Sequence, residues 1–291
     1  MKFIYLLSIA TLLLISQGAL ATHNKQELPH IYYVNFQSQG TNGPVTISAQ
    51  YRLPKNKQGS PVPAVVIAHN SAGVDSTGGW YVNGLNRLGI ATLEFDMWSP
   101  RGLIGGASDR PQTVQETMPD AYAALNFLAS KPEIDASNIG IIGFSWGGVV
   151  ALLSATPQYD SLMRIGEHKF AAHIAHYPVC WAYNLLPGFE FSQLIGSPVL
   201  IQVGAKDDYE PSPNSCKNLV NGLPDKAKSL VQLNTYNGAH HAWDRLEKRL
   251  RVFDIFGNGG QGSEIDLIPN RGIAIKSRKA VNQFFKKHLL E

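Results

Sequence analysis

Short, almost wholly apolar runs alternate along the chain with segments whose apolar residues recur at helical spacing. Compact apolar runs are typical of strands buried on both faces, and the wider spacing is typical of helices. The pattern predicts strands at 31–37, 45–53, 63–69, 90–96, 139–144, 170–179, 197–205 and 231–238. It predicts helices at 79–89, 119–130, 146–155, 215–223 and 277–290.

This alternation predicts an α/β fold, a doubly wound and mostly parallel sheet with helices on both faces. The sequence has no internal repeat, no low-complexity linker and no second core, so residues 22–291 are expected to form a single domain. The segment 251–272, RVFDIFGNGGQGSEIDLIPNRG, interrupts the rhythm. Its glycines predict a surface insertion.

The composition excludes several classes of protein. Apolar residues make up 44% of the 291 residues and charged residues 16%, which argues against disorder. The net charge is +3 without a basic stripe, so no nucleic-acid partner is expected. His173 and His176 face opposite sides of a predicted strand and no H-E-x-x-H motif occurs, so neither a metal nor a cofactor is predicted.

The N-terminus has the features of an export signal. Lys2 precedes an apolar run at 3–20, which ends in the small residues Ala19 and Ala21. This pattern predicts a signal peptide at 1–21, cleavage after Ala21 and export to the periplasm or the medium. An uncleaved membrane anchor is the alternative. No other stretch is apolar enough to cross a bilayer, so the cleaved protein is not expected to stay in the membrane.

The chain contains two cysteines, Cys180 and Cys216. In an exported protein an even number of cysteines favours a disulfide, and two free buried thiols are the alternative. Cys180 follows one predicted strand, and Cys216 opens the helix after the next strand. Both are therefore expected at the same edge of the sheet.

One serine stands between glycines where a predicted strand meets a predicted helix. Gly143-Phe144-Ser145-Trp146-Gly147 fits G-x-S-x-G, in which the serine sits on a strained turn and needs neighbours without bulk. The helix that follows directs its positive end at this point. A phosphate loop is excluded because no Gly-Lys-Ser/Thr occurs. Ser145 is therefore predicted to be a nucleophile rather than a residue of a structural turn.

A serine nucleophile needs a base and an acid that orients the base. In this order of elements the acid precedes the histidine in the chain. Asp207 and Asp208 follow one predicted strand, and His240 and His241 follow the next. Residue chemistry alone leaves both doublets open.

The motifs GFSWGG, GAKDDYEP and YNGAHHAW, in this order, resemble those of the dienelactone hydrolase family of α/β-hydrolases. The resemblance runs from about Val45 to Leu289. It implies that Asp207 is the acid and His241 the base. It also implies an oxyanion hole made by the backbone N–H groups of Ser71 and Trp146.

The chain departs from the best-known members of that family at two positions. Those members have cysteine where this chain has Ser145 and glutamate where it has Asn70. The two differences agree with an ordinary Ser-His-Asp hydrolase. The resemblance also implies a disulfide, because secreted relatives carry a cysteine pair like Cys180 and Cys216. It further implies a substrate-binding role for Arg101, which lies near the position where the family has a carboxylate-binding arginine. A surface arginine is the alternative at that position.

The sequence thus predicts an exported hydrolase that cleaves a small-molecule ester or lactone without a cofactor. Two alternatives remain. A peptidase of the prolyl-oligopeptidase type would keep the fold, although that group usually carries a large propeller domain. A non-catalytic binding protein would be expected to have lost one of Ser145, Asp207 and His241.

Overall fold

The computed structural model describes residues 28–55 and 59–291. The predicted signal peptide and its cleavage site lie outside these residues. The strands of the described residues are β1 His30–Gly40, β2 Gly43–Leu53, β3 Val62–Ala68, β4 Ala91–Phe95, β5 Ile134–Phe144, β6 Ala172–His176, β7 Val199–Gly204, β8 Val231–Tyr236, β9 Leu250–Asp254 and β10 Ser263–Leu267. Their helices are α1 Ser76–Arg87, α2 Met118–Ala129, α3 Trp146–Leu153, α4 Pro157–Met163, α5 Ser215–Asn221, α6 Asp225–Lys228, α7 Gly257–Gly260 and α8 Arg271–Phe285.

Eight strands form one sheet in the order β1-β2-β4-β3-β5-β6-β7-β8. β2 pairs antiparallel with β1 and with β4, and the strands from β4 to β8 run parallel. The parallel strands place their carboxyl ends at one edge, where loops meet and sites form. The predicted mostly parallel sheet is confirmed, with an antiparallel hairpin added at one side.

Helices cover both faces of this sheet. Side chains alternate along β3: Val66 belongs to the core on the side of α2 and α3, whereas Ile67 belongs to the core on the side of α1 and α8. Both side chains are fully buried. Burial on both faces explains why the central strands are continuous apolar runs.

Two predicted boundaries differ from the observed ones for local reasons. α8 begins at Arg271 rather than at 277, because the Asn270 side chain accepts the backbone N–H of Ile273 at 3.1 Å and caps the helix. β6 ends at His176, before the end of the apolar run at 179, because Tyr177 and Val179 have φ angles of 39° and 56°. An extended strand cannot continue through such residues.

The insertion forms a hairpin of its own. β9 and β10 pair antiparallel, with Ser263 opposite Asp254, outside the large sheet. Phe253 and Ile255 are exposed, as expected for a surface insertion, whereas Asp254 and Ile265 are buried. The hairpin therefore packs against the body of the protein on one side.

Within the described ranges, every helix is too short or too polar to span a bilayer.

Glu94 on β4 is a buried acid. The residue is 8% exposed, and its Oε1 has no hydrogen-bond partner among the residues that the structure describes. Burial raises the pKa of the Glu94 carboxyl to about 7, although the nearby Arg52 opposes the shift. The unfolded chain would lose this proton near pH 4.5, so the contribution of Glu94 to the free energy of unfolding falls as pH rises from there to about 7.

We expect Glu94→Gln, which cannot ionise, to be more stable relative to the wild type at about pH 8 than at about pH 5. Urea unfolding of both proteins at the two pH values measures this difference. Glu264→Gln, at an exposed position on β10, is the control and should show no such dependence. A difference for Glu94→Gln that is equal at both pH values would contradict the raised pKa.

Candidate active site

Ser145 stands at the sharp turn between β5 and α3. Its backbone has φ 49° and ψ −109°, a conformation that a non-glycine residue rarely adopts. The turn is tight on both sides of the serine. A Cβ on Gly143 would collide with the carbonyl oxygen of Gly147, and a Cβ on Gly147 would collide with the carbonyl oxygen of Ala68. The two glycines of the motif are thus required by close backbone approach.

The structure brings Ser145, His241 and Asp207 together from three loops. His241 Nε2 lies 2.8 Å from Ser145 Oγ, and His241 Nδ1 lies 2.8 Å from Asp207 Oδ2. All three residues are at least nine-tenths buried. With the proton on Nδ1 donated to the carboxylate, Nε2 is free to accept the serine proton. The arrangement can therefore raise the nucleophilicity of Ser145.

The neighbours in the two doublets point elsewhere. Asp208 Oδ2 accepts the backbone N–H of Asp266 at 2.9 Å, so Asp208 is joined to the β9–β10 hairpin. His240 Nδ1 lies 4.0 Å from the same carboxylate oxygen. The geometry therefore separates two adjacent pairs that residue chemistry alone could not separate.

Two tyrosine rings hold the His241 imidazole. The Tyr209 ring centroid lies 4.4 Å from that of His241, and the Tyr177 centroid lies 4.6 Å from it. The Tyr209 backbone N–H also donates to Asp207 Oδ1 at 3.0 Å. The same residue thus orients the carboxylate and packs against the imidazole.

Behind Tyr177 lies a buried carboxylate, Asp244. It accepts the hydroxyl protons of Tyr81 and Tyr177, both at 2.7 Å, and contacts His176 Nδ1 at 3.0 Å. Asp244 is 0% exposed, so these bonds offset the cost of its burial. Burial and the Asp244 carboxylate hold the pKa of both phenols well above the usual range, so they stay neutral donors.

The loop that carries Ser71 is fixed by its backbone. The Ser71 carbonyl accepts the Trp98 indole N–H at 3.0 Å and the Gly106 backbone N–H at 2.6 Å. Beneath it, His69 Nε2 accepts the Met97 N–H at 2.9 Å, and Nδ1 donates to the Asn70 carbonyl at 2.7 Å. Burial lowers the pKa of His69 to about 4, which keeps the ring neutral and able to make both bonds.

A cavity of about 660 Å³ opens beside Ser145. Ser71 and Trp146, whose backbone N–H groups the resemblance assigns to an oxyanion hole, border it together with Ser145. Most of the other lining side chains are apolar: Val114, Val149, Val179, Trp181, Ala182, Leu186, Pro187, Phe189 and Phe256. Such a wall favours an apolar group on the substrate.

The arginine at this cavity is Arg110, which the sequence motifs did not indicate. Arg101 is not among the lining residues. Its guanidinium donates to the buried Asp120 carboxylate at 2.8 and 3.1 Å and to the carbonyls of Met97 and Glu116. The geometry therefore gives no support to Arg101 as a substrate-binding residue. Arg110 had no sequence signal, because its partner lies 144 residues further along the chain.

Tryptophans contribute unequally to the site. Trp146 and Trp181 line the cavity, whereas Trp98 and Trp243 are fully buried. Trp80 lies on the other side of the sheet, where two arginines stack on its ring.

A disulfide joins Cys180 to Cys216, with the two Cα atoms 5.0 Å apart. The bond lies next to the acid loop. Glu210 accepts the backbone N–H of Cys180 at 2.5 Å and that of Trp181 at 3.1 Å. Burial, and then the nearby Asp207, raise the pKa of the Glu210 carboxyl to about 8. The loops of Cys180 and Asp207 are thus connected twice.

Among the described residues, two groups bring three possible metal ligands within 4.8 Å of one another. One consists of Glu210 and the two disulfide sulfurs, which are not thiolates. The other consists of Asp208, His240 and Asp266, and there Arg251 already binds the Asp266 carboxylate at 2.7 and 2.9 Å. Neither group carries a metal assignment.

A mostly parallel sheet, a serine at a strand–helix elbow, and an acid and a histidine on later strand-end loops define an α/β-hydrolase. The chain belongs to the dienelactone hydrolase family, whose model matches residues 47–288. The resemblance seen in the three motifs is thereby confirmed.

Similar proteins agree with this class. An uncharacterized protein of Pseudomonas aeruginosa is 34% identical over 107 residues, which are 36% of this chain and 29% of that relative. The chain thus spans under a third of that curated relative. A dienelactone hydrolase-like promiscuous phosphotriesterase from metagenomic libraries superposes with a TM-score of 0.60 at 19% identity, covering 90% of this chain and 99% of that one.

A structure described as a dipeptidyl aminopeptidase IV from Bacteroides ovatus superposes with a TM-score of 0.62 at 16% identity. The superposition covers 91% of this chain but only 37% of the aminopeptidase chain. At such identities these structures share the fold.

We expect replacement of both cysteines by serine to lower the free energy of unfolding. The bond closes a loop of 36 residues, worth about 3–4 kcal/mol in the chain-entropy model. Urea unfolding of the wild type and of Cys180→Ser/Cys216→Ser measures the loss. The wild type in dithiothreitol is the matched control and should lose a similar amount. Two alkylatable thiols in the non-reduced protein would contradict the bond.

Proposed function

We propose that this protein is a serine hydrolase that cleaves a carboxylic ester or lactone. In this proposal Ser145 is the nucleophile, His241 the general base and Asp207 the acid that orients it. The backbone N–H groups of Ser71 and Trp146 bind the oxyanion. The observation that carries the proposal is the pair of 2.8 Å contacts from His241, to Ser145 Oγ and to Asp207 Oδ2.

The proposed reaction has two stages. His241 Nε2 takes the hydroxyl proton as Ser145 Oγ attacks the substrate carbonyl, and the negative oxygen accepts the two N–H bonds. The imidazolium then gives its proton to the leaving alcohol, and the acyl group stays on Ser145. Water, deprotonated by His241, then attacks the acyl carbonyl, the bond to Ser145 Oγ breaks, Oγ takes the proton back from His241, and the acid is released. Asp207 stabilises the charged imidazolium in both stages.

The cavity supports an uncharged, apolar acyl group as the part of the substrate next to Ser145. Arg110, the one charged lining residue in the described part of the chain, is paired with the buried Asp254 at 2.7 Å. A carboxylate placed there would compete with an ion pair already made. The proposed substrate therefore carries no carboxylate next to Ser145, whereas an unpaired arginine at this position would favour a substrate with one.

Export is part of the proposal. The disulfide is compatible with an oxidising compartment. A peptidase remains an outcome of the substrate tests below, since the similarity to the aminopeptidase covers 37% of that chain and shows the fold.

Ser145→Ala is expected to abolish hydrolysis of p-nitrophenyl esters, with a loss of about 10⁶ in kcat, as in other triad enzymes. A fluorophosphonate probe should label the wild type at Ser145 and leave Ser145→Ala unlabelled. Ser161→Ala, at an exposed position on α4, is the matched control and should keep both activity and label. Turnover of Ser145→Ala near that of the wild type would end the proposal. Cleavage of peptides in preference to esters would instead favour the peptidase.

The two doublets allow a direct comparison of neighbours. His241→Ala should lose about 10⁶ in kcat and Asp207→Ala about 10⁴, by comparison with other triads. His240→Ala and Asp208→Ala should stay within about tenfold of the wild type, because each keeps the adjacent triad residue in place. Steady-state kinetics of the four variants measure this, normalised to sites titrated with the probe where the variant still reacts. An inactive His240→Ala beside an active His241→Ala would reverse the assignment.

A further inference from the structure

Arg110 connects the proposed oxyanion loop to the hairpin. Its Nη1 donates to Ser71 Oγ at 2.8 Å, and its Nη2 donates to both carboxylate oxygens of Asp254 at 2.8 and 2.7 Å. The Arg110 side chain is 7% exposed and that of Asp254 is 0% exposed. A guanidinium held by bonds in two directions has one orientation, which a flexible surface arginine does not have.

Asp254 also connects the hairpin to the acid loop. Its Oδ2 accepts the Tyr209 hydroxyl at 2.7 Å, and its Oδ1 accepts the backbone N–H of Phe256 at 3.0 Å. Tyr209 is the residue that packs on His241 and donates to Asp207. The Asp254 carboxylate therefore binds both Arg110, which contacts Ser71, and Tyr209, which contacts His241.

The guanidinium is also enclosed by rings. Its Cζ lies 5.6 Å from the centroid of Trp146 and 5.4 Å from that of Phe256, distances at which a cation and an aromatic face attract. Trp146 is the residue directly after Ser145. The arginine is thus fixed against both proposed oxyanion donors, through a hydrogen bond to Ser71 and through the ring of Trp146.

We propose that Arg110 is a positioning residue, which acts through the Ser71 hydroxyl to fix the Ser71 backbone N–H for the oxyanion, and that Asp254 holds Arg110 in place. This inference rests on the proposed function. The Ser71 carbonyl is already bonded by Trp98 and Gly106. The bond from Arg110 to the Ser71 hydroxyl adds a third hydrogen bond to this residue.

A double-mutant cycle of Ser71→Ala and Arg110→Gln tests the inference. Ser71→Ala removes the hydroxyl and keeps the backbone N–H. We expect each single variant to lower kcat about 10- to 100-fold per probe-titrated site, because a slightly misplaced donor costs that much, while KM changes little. The double variant should be no slower than Arg110→Gln alone, since both remove the same bond. An effect on folding alone would change the number of titrated sites, not kcat per site.

Arg110→Lys separates geometry from charge. Lysine keeps the positive charge but lacks the fork that reaches Ser71 and Asp254 together, so it should not restore kcat. Arg251→Gln is the control within the same hairpin. Arg251 binds Asp266 at 2.7 and 2.9 Å in an equally close pair, but it is 57% exposed, and its loss should leave kcat within about twofold of the wild type.

Several outcomes would overturn the inference. Losses that multiply in the double variant would mean that Arg110 does not act through Ser71. A raised KM at constant kcat would make Arg110 a substrate-binding residue, and full activity of Arg110→Lys would make its charge sufficient. Should Arg110→Gln fail to fold, Ser71→Ala with wild-type kcat overturns the inference by itself. A wild type that the probe does not label overturns the proposed function and this inference together, whereas a labelled wild type with unchanged variants overturns this inference alone.

Discussion

The close approach of three backbone segments around Ser145 is the constraint on which the site depends. Gly147 lies against the end of β3, where its N–H donates to the His69 carbonyl at 3.1 Å. Gly143 lies against the first turn of α3. No side chain fits at either point, so the serine is forced into a strained conformation at the end of the strand. The strand that precedes Ser145 is paired on both sides and buried, so the surrounding structure holds the turn in place.

The imidazole depends on a second, polar layer beneath it. Tyr177 packs against His241, and its hydroxyl is anchored on Asp244, which also binds Tyr81. A buried carboxylate is costly unless its bonds are satisfied, and here three partners satisfy it. The layer thus fixes a ring that lies within hydrogen-bond distance of Ser145 and Asp207. Tyr81 lies on α1, so a helix that packs on the sheet also takes part in this polar layer.

The sequence was informative where a pattern is local and uninformative where the position of a side chain depends on distant partners. The elbow was predictable because the strand, the glycines and the helix are contiguous. The choice between Asp207 and Asp208 was open from residue chemistry, because adjacent side chains differ only in the direction that the loop gives them. In the structure the Asp208 carboxylate instead accepts the backbone N–H of Asp266, 58 residues further along the chain. Only the family pattern carried information about that difference.

The same limit explains the two arginines. Arg101 and Arg110 lie in one long loop without periodicity, where no local signal ranks them. Their positions are decided by Asp120 on α2 and Asp254 on β9. Neither aspartate belongs to a recognisable motif. A buried ion pair between distant segments becomes visible only when the fold has brought them together.

The family membership and the cavity therefore carry different kinds of information. The sheet, the elbow and the strand-end loops belong to a scaffold that serves many chemistries. The wall of the cavity comes instead from connecting segments, with Val114 before α2, Trp181 and Phe189 after β6, and Phe256 in the insertion. Connecting segments generally vary more among related proteins than the sheet that carries them, and here they set the shape of the cavity. In this chain the insertion also supplies the buried Asp254, so the segment that shapes the cavity is held to loops on both sides of Ser145.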